Sequence, residues 1–263
     1  MDFLISAFEG LALLVLLACV VFLIRRNVLR IKRFFGKEMT SWPKTDANLI
    51  LITEILLMSA FLIMNATDSI LQTRGVEHYT QVGDFPISRH LMGLFDGMSS
   101  DSLVMLERGT WWFHILGIFV FLNYLPYSKH FHILLAFPNV FYSKLEPKGQ
   151  LNNMEAVKKE VELMFDPSAD PYAAPPEPVG EPERFGAKDV TDLTWKQLMD
   201  SYTCTECGRC TDVCPANITG KALSPRKIMM DTRDRLEEVG KGIDKNGKDF
   251  NDGKSLLRDY ISE

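Results

Sequence analysis

The sequence predicts a mainly α-helical chain in two parts: a three-span transmembrane helical domain, then a small α-helical domain organised by cysteines. Three observations carry this. The long apolar runs lie before residue 142, the stretches rich in Pro, Asp, Glu and Lys lie after it, and four of the five cysteines crowd into residues 204–214. A mean hydropathy of -0.01 therefore averages two unlike halves. The ordinary fractions of 46% hydrophobic and 24% charged residues hide the same division. A net charge of -5 argues against a general nucleic-acid binder, which usually carries a basic surplus. The cysteine crowding excludes a disulfide scaffold and reads as metal ligation in a reducing compartment.

The first span, Phe3 to Ile24, is apolar apart from Ser6, Glu9 and Gly10. At about 1.5 Å per residue it crosses a hydrocarbon core of roughly 30 Å. Its positive charges follow the apolar run instead of preceding it, which is not the pattern of a signal peptide. Arg25, Arg26, Arg30, Lys32, Arg33, Lys37 and Lys44 place the next loop in the cytoplasm, and hence the amino terminus outside. A second span runs from near Leu49 to about Ile63 and contains Glu54. The polar segment from Asn65 to Gly109, with His78 and His90, fits an outside location. A third run, from Trp111 through Phe121 to Leu125, returns the chain to the cytoplasm near Lys129, Lys144 and Lys148. Trp111, Trp112, Tyr124 and Tyr127 fall where interfacial aromatics are expected. The expectation is a membrane domain over residues 1–150, with spans at about 3–24, 48–65 and 110–128, in a multi-pass protein of the inner (plasma) membrane. Glu9 and Glu54 are acids within apolar runs and so are functional candidates. Each lies within two turns of a span's end, and the preferred reading is that each reaches the interface.

His114 and His132 are eighteen residues apart, which is five turns of one helix. Both would project from one face, roughly 27 Å apart along the axis. That separation suits two b-type haems stacked across a bilayer, where histidine is a usual axial ligand. The alternative is a pair of interfacial histidines with no ligand. His130 would point away, and Pro126 should kink the helix. The stretch HILGIFVFLNYLPYSKHFH, with His114, Pro126, Ser128, Lys129 and His132, resembles the last span of the haem-binding gamma subunit of respiratory nitrate reductase. The resemblance implies that His114 and His132 are haem b ligands and that two more come from an earlier helix. Neither earlier span holds a histidine, so the second axial ligands would come from elsewhere.

Residues 151–190 read as a link between the two parts. Residues 151–165 form an amphipathic helix, with Met154, Val157, Val161, Leu163 and Met164 set among charges. Asp166 to Pro182 holds Pro167, Pro171, Pro175, Pro176, Pro178 and Pro182, too many for a helix or a central strand, and reads as a semi-rigid tether. Thr191 or Asp192 can cap a helix through Trp195, Leu198 and Met199 that delivers the chain to Cys204. There CTECGRCTDVCP sets Cys204, Cys207, Cys210 and Cys214 before Pro215, the C-x2-C-x2-C-x3-C-P spacing of bacterial iron–sulfur proteins. The short spacings fold three thiolates around one face of a cubane. Gly208 permits the tight turn, and loop amides can donate to cluster sulfurs. Zinc is the alternative, though its sites more often use two separated cysteine pairs. Beyond the motif, Ser224 caps and Pro225 opens a helix to about Val239, ended by Gly240, and Gly240 to Gly253 reads as a loop. Arg226, Lys227, Arg233 and Arg235 read as a solvated face of that helix more than as a docking patch.

Thr203 through PANITGKALSPRKIMMDTR resembles the ferredoxin-like part of heterodisulfide reductase-related membrane Fe–S oxidoreductases. The resemblance implies a small α-helical ferredoxin-like iron–sulfur domain over residues 191–263, in a membrane-anchored electron-transfer protein. Members usually carry a second cysteine run after a segment like Leu256–Glu263, and further membrane helices before one like Phe8–Asn27. The resemblance leaves two readings of the chain, a fragment of a longer protein cut at both ends or a complete chain. In a fragment Cys204, Cys207 and Cys210 hold one 4Fe-4S cluster and Cys214 belongs to a second; in a complete chain all four hold one.

The expected function is to pass electrons between a cytoplasmic redox subunit, such as a flavoprotein or heterodisulfide reductase-like protein, and the quinone pool of the lipid bilayer. The carriers would be the 4Fe-4S cluster and haem b. No residue reads as catalytic, and neither a G-x-G-x-x-G fingerprint nor a P-loop occurs, so the chain would be a component of an oxidoreductase complex. The alternatives are a membrane anchor with a structural metal site and a redox sensor whose cluster is lost on oxidation.

Overall fold

A computed structural model describes residues 2–147, 149–150, 155–165 and 186–261. In chain order the helices are α1 (Asp2–Asn27), α2 (Ser41–Thr73), α3 (Ser100–Tyr124), α4 (His132–Phe141), α5 (Glu155–Phe165), α6 (Trp195–Tyr202), α7 (Arg209–Asp212), α8 (Pro215–Ile218) and α9 (Pro225–Asn246). No strand occurs among the described residues. Of the amphipathic helix expected at 151–165, residues 155–165 form α5; the proline-rich tether lies outside the described residues. The chain divides into two compact units: unit 1 is Met1–His132 with Thr205–Arg226, and unit 2 is Ile133–Cys204 with Lys227–Glu263.

In unit 1, Asp2–Asn27, Trp42–Thr73 and Ser100–Tyr127 are long and apolar enough to cross a membrane. Phe8, Leu11, Leu14 and Leu17 on α1, and Leu116, Phe119 and Val120 on α3, are exposed. Apolar area on this scale needs lipid instead of water, and the chain is a membrane protein. The second and third helices outrun the apolar stretches that predict them. Their extra turns bury one another, with Ile70 and Leu71 of α2 closing on Leu103 of α3. Ser99 caps α3, its hydroxyl accepting from the Ser102 N–H at 3.3 Å.

Glu9 does not reach an interface. It is fully buried, and its carboxylate accepts from Asn65 Nδ2 at 3.0 Å, the Ile87 N–H at 2.8 Å and the Ser88 N–H at 3.3 Å. It ties α1 both to α2 and to the loop that follows α2. Asn27 and Asn48 exchange amide hydrogen bonds at 3.1 and 3.2 Å near the other end of α1. Glu54 sits half-buried on α2.

The single helix expected from His114 to His132 is broken. α3 ends at Tyr124, and 3-10 turns at Leu125–Tyr127 and Lys129–Phe131 follow. Between them Ser128 is extended, at φ -118° and ψ 160°. Pro126 has no N–H to give, and Ser128 caps the new turn by accepting from the His130 N–H at 3.1 Å. The premise that the two histidines share one helix face therefore fails.

In unit 2, α6 is capped by Thr194, not by Thr191 or Asp192. Thr194 Oγ1 accepts from the Gln197 N–H at 3.3 Å, and Gln197 Oε1 accepts from the Thr194 N–H at 2.8 Å. Asp192 belongs instead to a preceding turn that Asp189 caps. α9 runs through Gly240, because Val239 buries with Val190 and Leu256 and Ile243 packs on that core. Tertiary burial outweighs the helix cost of one glycine. Gly247, at φ +94°, ends the helix in its place.

Arg235 is buried at 3% exposure, where a solvated face was expected. It binds Asp189 at 2.7 Å and Asp252 at 2.6 Å, and donates to the Lys254 carbonyl at 2.9 Å. The hydrogen bonds from Arg235 hold the Asp252 carboxyl down to about 2. Burial alone would push the Asp189 carboxyl up, but Arg235 and the N–H groups of Val190 and Leu256 hold it below its usual range. A depressed folded-state value adds stability above the unfolded value, near 3.9, that is lost as pH falls through the folded one. Asp252→Asn is therefore expected to lower the thermal midpoint at about pH 6, and to lower it much less at about pH 2, where the folded carboxyl is about half protonated. Circular dichroism melts at the two pH values check this.

Candidate metal centre

The cysteine run starts where α6 stops. The Cys204 N–H donates to the Ser201 carbonyl at 3.4 Å, and Cys204 is the last residue of that segment of unit 2. Cys207, Cys210 and Cys214 lie in unit 1. Glu206 at φ +56° and Gly208 at φ +75° flank Cys207, so the chain reverses on both sides of it. α7 carries Cys210, and Cys214 precedes Pro215, which opens α8. Cys210 is exposed, the other three are partly buried, and none of the five cysteines forms a disulfide.

Two buried ion pairs seat this segment in unit 1. Glu206, 3% exposed, pairs with Lys129. Lys129 Nζ also donates to the Pro43 carbonyl at 2.7 Å, and the Lys129 N–H donates to the buried carboxylate of Asp46 at 3.0 Å. Asp46 accepts from the Tyr124 hydroxyl as well, so the start of α2, the end of α3 and the cysteine loop converge on these groups. Burial pulls the Lys129 ammonium below its usual value, against the opposing pull of Glu206.

Arg226 makes the second pair and is 2% exposed. It donates through Nε and Nη2 to Glu38 Oε1 at 2.9 and 2.7 Å, and through Nη1 to the Arg33 carbonyl at 2.5 Å. The Ser224 hydroxyl donates to the same Glu38 oxygen at 2.9 Å. Burial alone would push the Glu38 carboxyl up, but its own backbone N–H, Arg226 and Ser224 outweigh burial and hold it below its usual range. A Cβ on Gly208 would lie 2.4 Å from Arg226 Nη1, and one on Gly36 would lie 2.2 Å from Nη2. Both glycines make room for the guanidinium. Arg226 was expected on a solvated face, and it is instead the bolt that fixes the cysteine segment to the loop after α1.

The candidate haem ligands His114 and His132 each bond to a backbone carbonyl. His114, on α3, bonds through Nδ1 to the Leu57 carbonyl of α2 at 2.9 Å, and its ring centroid is 5.7 Å from that of Phe61. His132 bonds through Nδ1 to the Lys129 carbonyl at 2.8 Å. His130 does not point away from His132; their ring centroids are 6.0 Å apart.

Among the described residues no group of three or more His, Cys, Asp or Glu side chains is gathered around one ion position. A cubane asks for something different, one thiolate on each of several irons. The residues present fit such a group. Four thiols stand at the required spacing with no disulfide among them, and the loop turns at two left-handed positions beside Cys207.

Comparison with known proteins agrees with this fit. Residues 195–216 match the 4Fe-4S binding domain family, so this part of the chain is a 4Fe-4S-binding region. The chain is 29% identical over 212 residues to the probable iron-sulfur-binding oxidoreductase FadF of Bacillus subtilis (strain 168), covering 81% of the chain and 26% of that protein. It is 28% identical over 204 residues to the EtfAB:quinone oxidoreductase of Syntrophomonas wolfei, covering 76% and 25%. Over 47 residues it is 44% identical to a probable membrane-anchored ferredoxin of Chromohalobacter salexigens, covering 18% and 7%. The chain thus spans about a quarter of the length of the first two relatives. No solved structure matches it.

Proposed function

We propose that the chain is the membrane-anchored electron-transfer part of an oxidoreductase. Cys204, Cys207, Cys210 and Cys214 hold a 4Fe-4S cluster that exchanges electrons with a soluble redox partner and with membrane quinone. One observation carries the reading: the segment with Cys207, Cys210 and Cys214 belongs to the same compact unit as the three membrane-length helices, and the pairs Lys129–Glu206 and Arg226–Glu38 fasten it there. A soluble iron–sulfur protein has no need of that attachment. The names of two relatives, an iron-sulfur-binding oxidoreductase and a quinone oxidoreductase, point the same way.

Functionally, residues 1–150 form the membrane part, 151–190 the link and 191–263 the iron–sulfur part. In this reading the amino terminus lies outside the inner membrane and the cysteines on its cytoplasmic side, which the basic loop after α1 supports. A bound cluster supplies one-electron storage. The residues of the chain position it: Gly208 admits the turn, and Glu206 and Arg226 hold the loop down.

The reading is tested by mixing dithionite-reduced protein in detergent with decylubiquinone under anaerobic conditions. The bleached iron–sulfur absorbance should recover, with one quinol formed per two electrons released and two protons taken up. A bleach that persists with quinone present would refute the quinone link.

Haem b on His114 and His132 is a second reading, favoured by one observation. Each imidazole donates Nδ1–H to a backbone carbonyl, which leaves Nε2 as the ligating atom, the usual arrangement behind a metal-bound histidine. Sharp bands in a reduced-minus-oxidised spectrum, lost in His114→Ala, would support it; a spectrum without such bands would remove it.

A further inference from the structure

Unit 1 has an open-mouthed cavity of about 520 Å³ beside the cysteine loop. Its apolar lining includes Phe22 of α1 and Ile50 and Leu51 of α2. Its polar lining includes Arg26, Arg33, His132 and Cys207. Arg26 Nε and Arg33 Nε are both buried and have no hydrogen-bond partner. Buried donors are normally satisfied, and these two belong to the arginine side chains that line the cavity, where the other guanidinium N–H groups can meet the acceptor oxygens of a guest. The two guanidinium groups are held in place by one ring, their carbons 4.7 and 5.1 Å from the Phe34 centroid. That stacking fixes them without using their N–H groups.

These features describe a guest with acceptor oxygens at one end, an apolar body, and a reason to lie against a cluster ligand. We propose that this cavity is the quinone head-group site, with ring carbonyl oxygens accepting from Arg26 and Arg33 and the tail following Phe22 into the lipid. The inference deepens the quinone reading above and rests on it. An anionic lipid head group would use the same cations; Cys207 in the wall favours a redox guest.

The test is a fluorescence titration of the detergent-solubilised protein with heptyl-hydroxyquinoline N-oxide, a fluorescent quinone analogue quenched on binding. Arg33→Met removes one unmatched donor, and Leu51→Trp fills the cavity from its apolar lining while keeping every charge. Each variant should weaken binding by about tenfold or more, with the visible iron–sulfur spectrum unchanged. Should Arg33→Met lose that spectrum, Leu51→Trp decides the case alone. Wild-type-like affinity in Leu51→Trp would overturn the site and leave the quinone reading standing. No binding by the wild type would overturn both. Displacement of the analogue by phosphatidylglycerol but not by phosphatidylcholine would assign the cavity to a lipid head group and overturn the proposal, as would haem bands that Leu51→Trp removes.

Discussion

Cys207→Ser strips the protein of its iron, to below about a tenth of the wild-type content, because ligands and cluster assemble together or not at all. The expectation is sharpest at Cys207. It lies between two left-handed residues, Glu206 and Gly208, so the backbone has already taken the conformation that presents this side chain, and no nearby thiol replaces it without undoing the turn. Serine keeps the size and loses the thiolate that iron requires. Cys19→Ser is the control. Cys19 is buried in α1, far along the chain from the motif, and its replacement should leave iron unchanged. Metal analysis of the two variants beside the wild type reads the result, and full iron in Cys207→Ser would remove this residue from the ligand set.

Arg226→Met should cost about 3–5 kcal/mol, the usual penalty for removing one partner of a buried ion pair. Glu38 would be left with a charge that its burial disfavours, and the Arg33 carbonyl would lose its donor. Arg226→Lys should restore little, because one ammonium cannot reach Glu38 and the Arg33 carbonyl along the three directions the guanidinium fork uses. The double variant Glu38→Leu with Arg226→Met should be more stable than the sum of the two single changes, since no orphan charge remains. Thermal melts measure the cost. The cluster's lifetime in air should shorten in parallel, because Arg226 holds the segment that carries three of the four cysteines. A melt within about 0.5 kcal/mol of wild type would mean that the pair contributes nothing measurable.

The helical class, the three spans and the cysteine spacing were legible in the sequence because each is a local pattern. An apolar run of membrane length, or four cysteines at short intervals, needs no knowledge of the rest of the chain. What was not legible depends on distant partners. Glu9 looked like an acid near a span's end, but its donors are Asn65 and the backbone of Ile87 and Ser88. Arg226 and Arg235 looked like a solvated stripe, and their carboxylates come from Glu38, Asp189 and Asp252. No helical period marks an arginine whose partner lies in another segment. Only the fold shows that Gly36 and Gly208 both give way to the Arg226 guanidinium. The single helix read into the His114–His132 spacing failed for the opposite reason. The spacing needs a continuous helix, and Pro126 with Ser128 resets the chain between the two.

The proposed electron transfer requires a redox-active iron–sulfur cluster at the cysteine run. The most direct measurement is a count of iron, acid-labile sulfide and zinc in protein purified without oxygen, together with its electron paramagnetic resonance spectrum before and after dithionite. Iron and sulfide in equal amounts, with a signal that appears on reduction and vanishes on reoxidation, is the predicted result. Zinc without iron, or iron that gives no reversible signal, would contradict it.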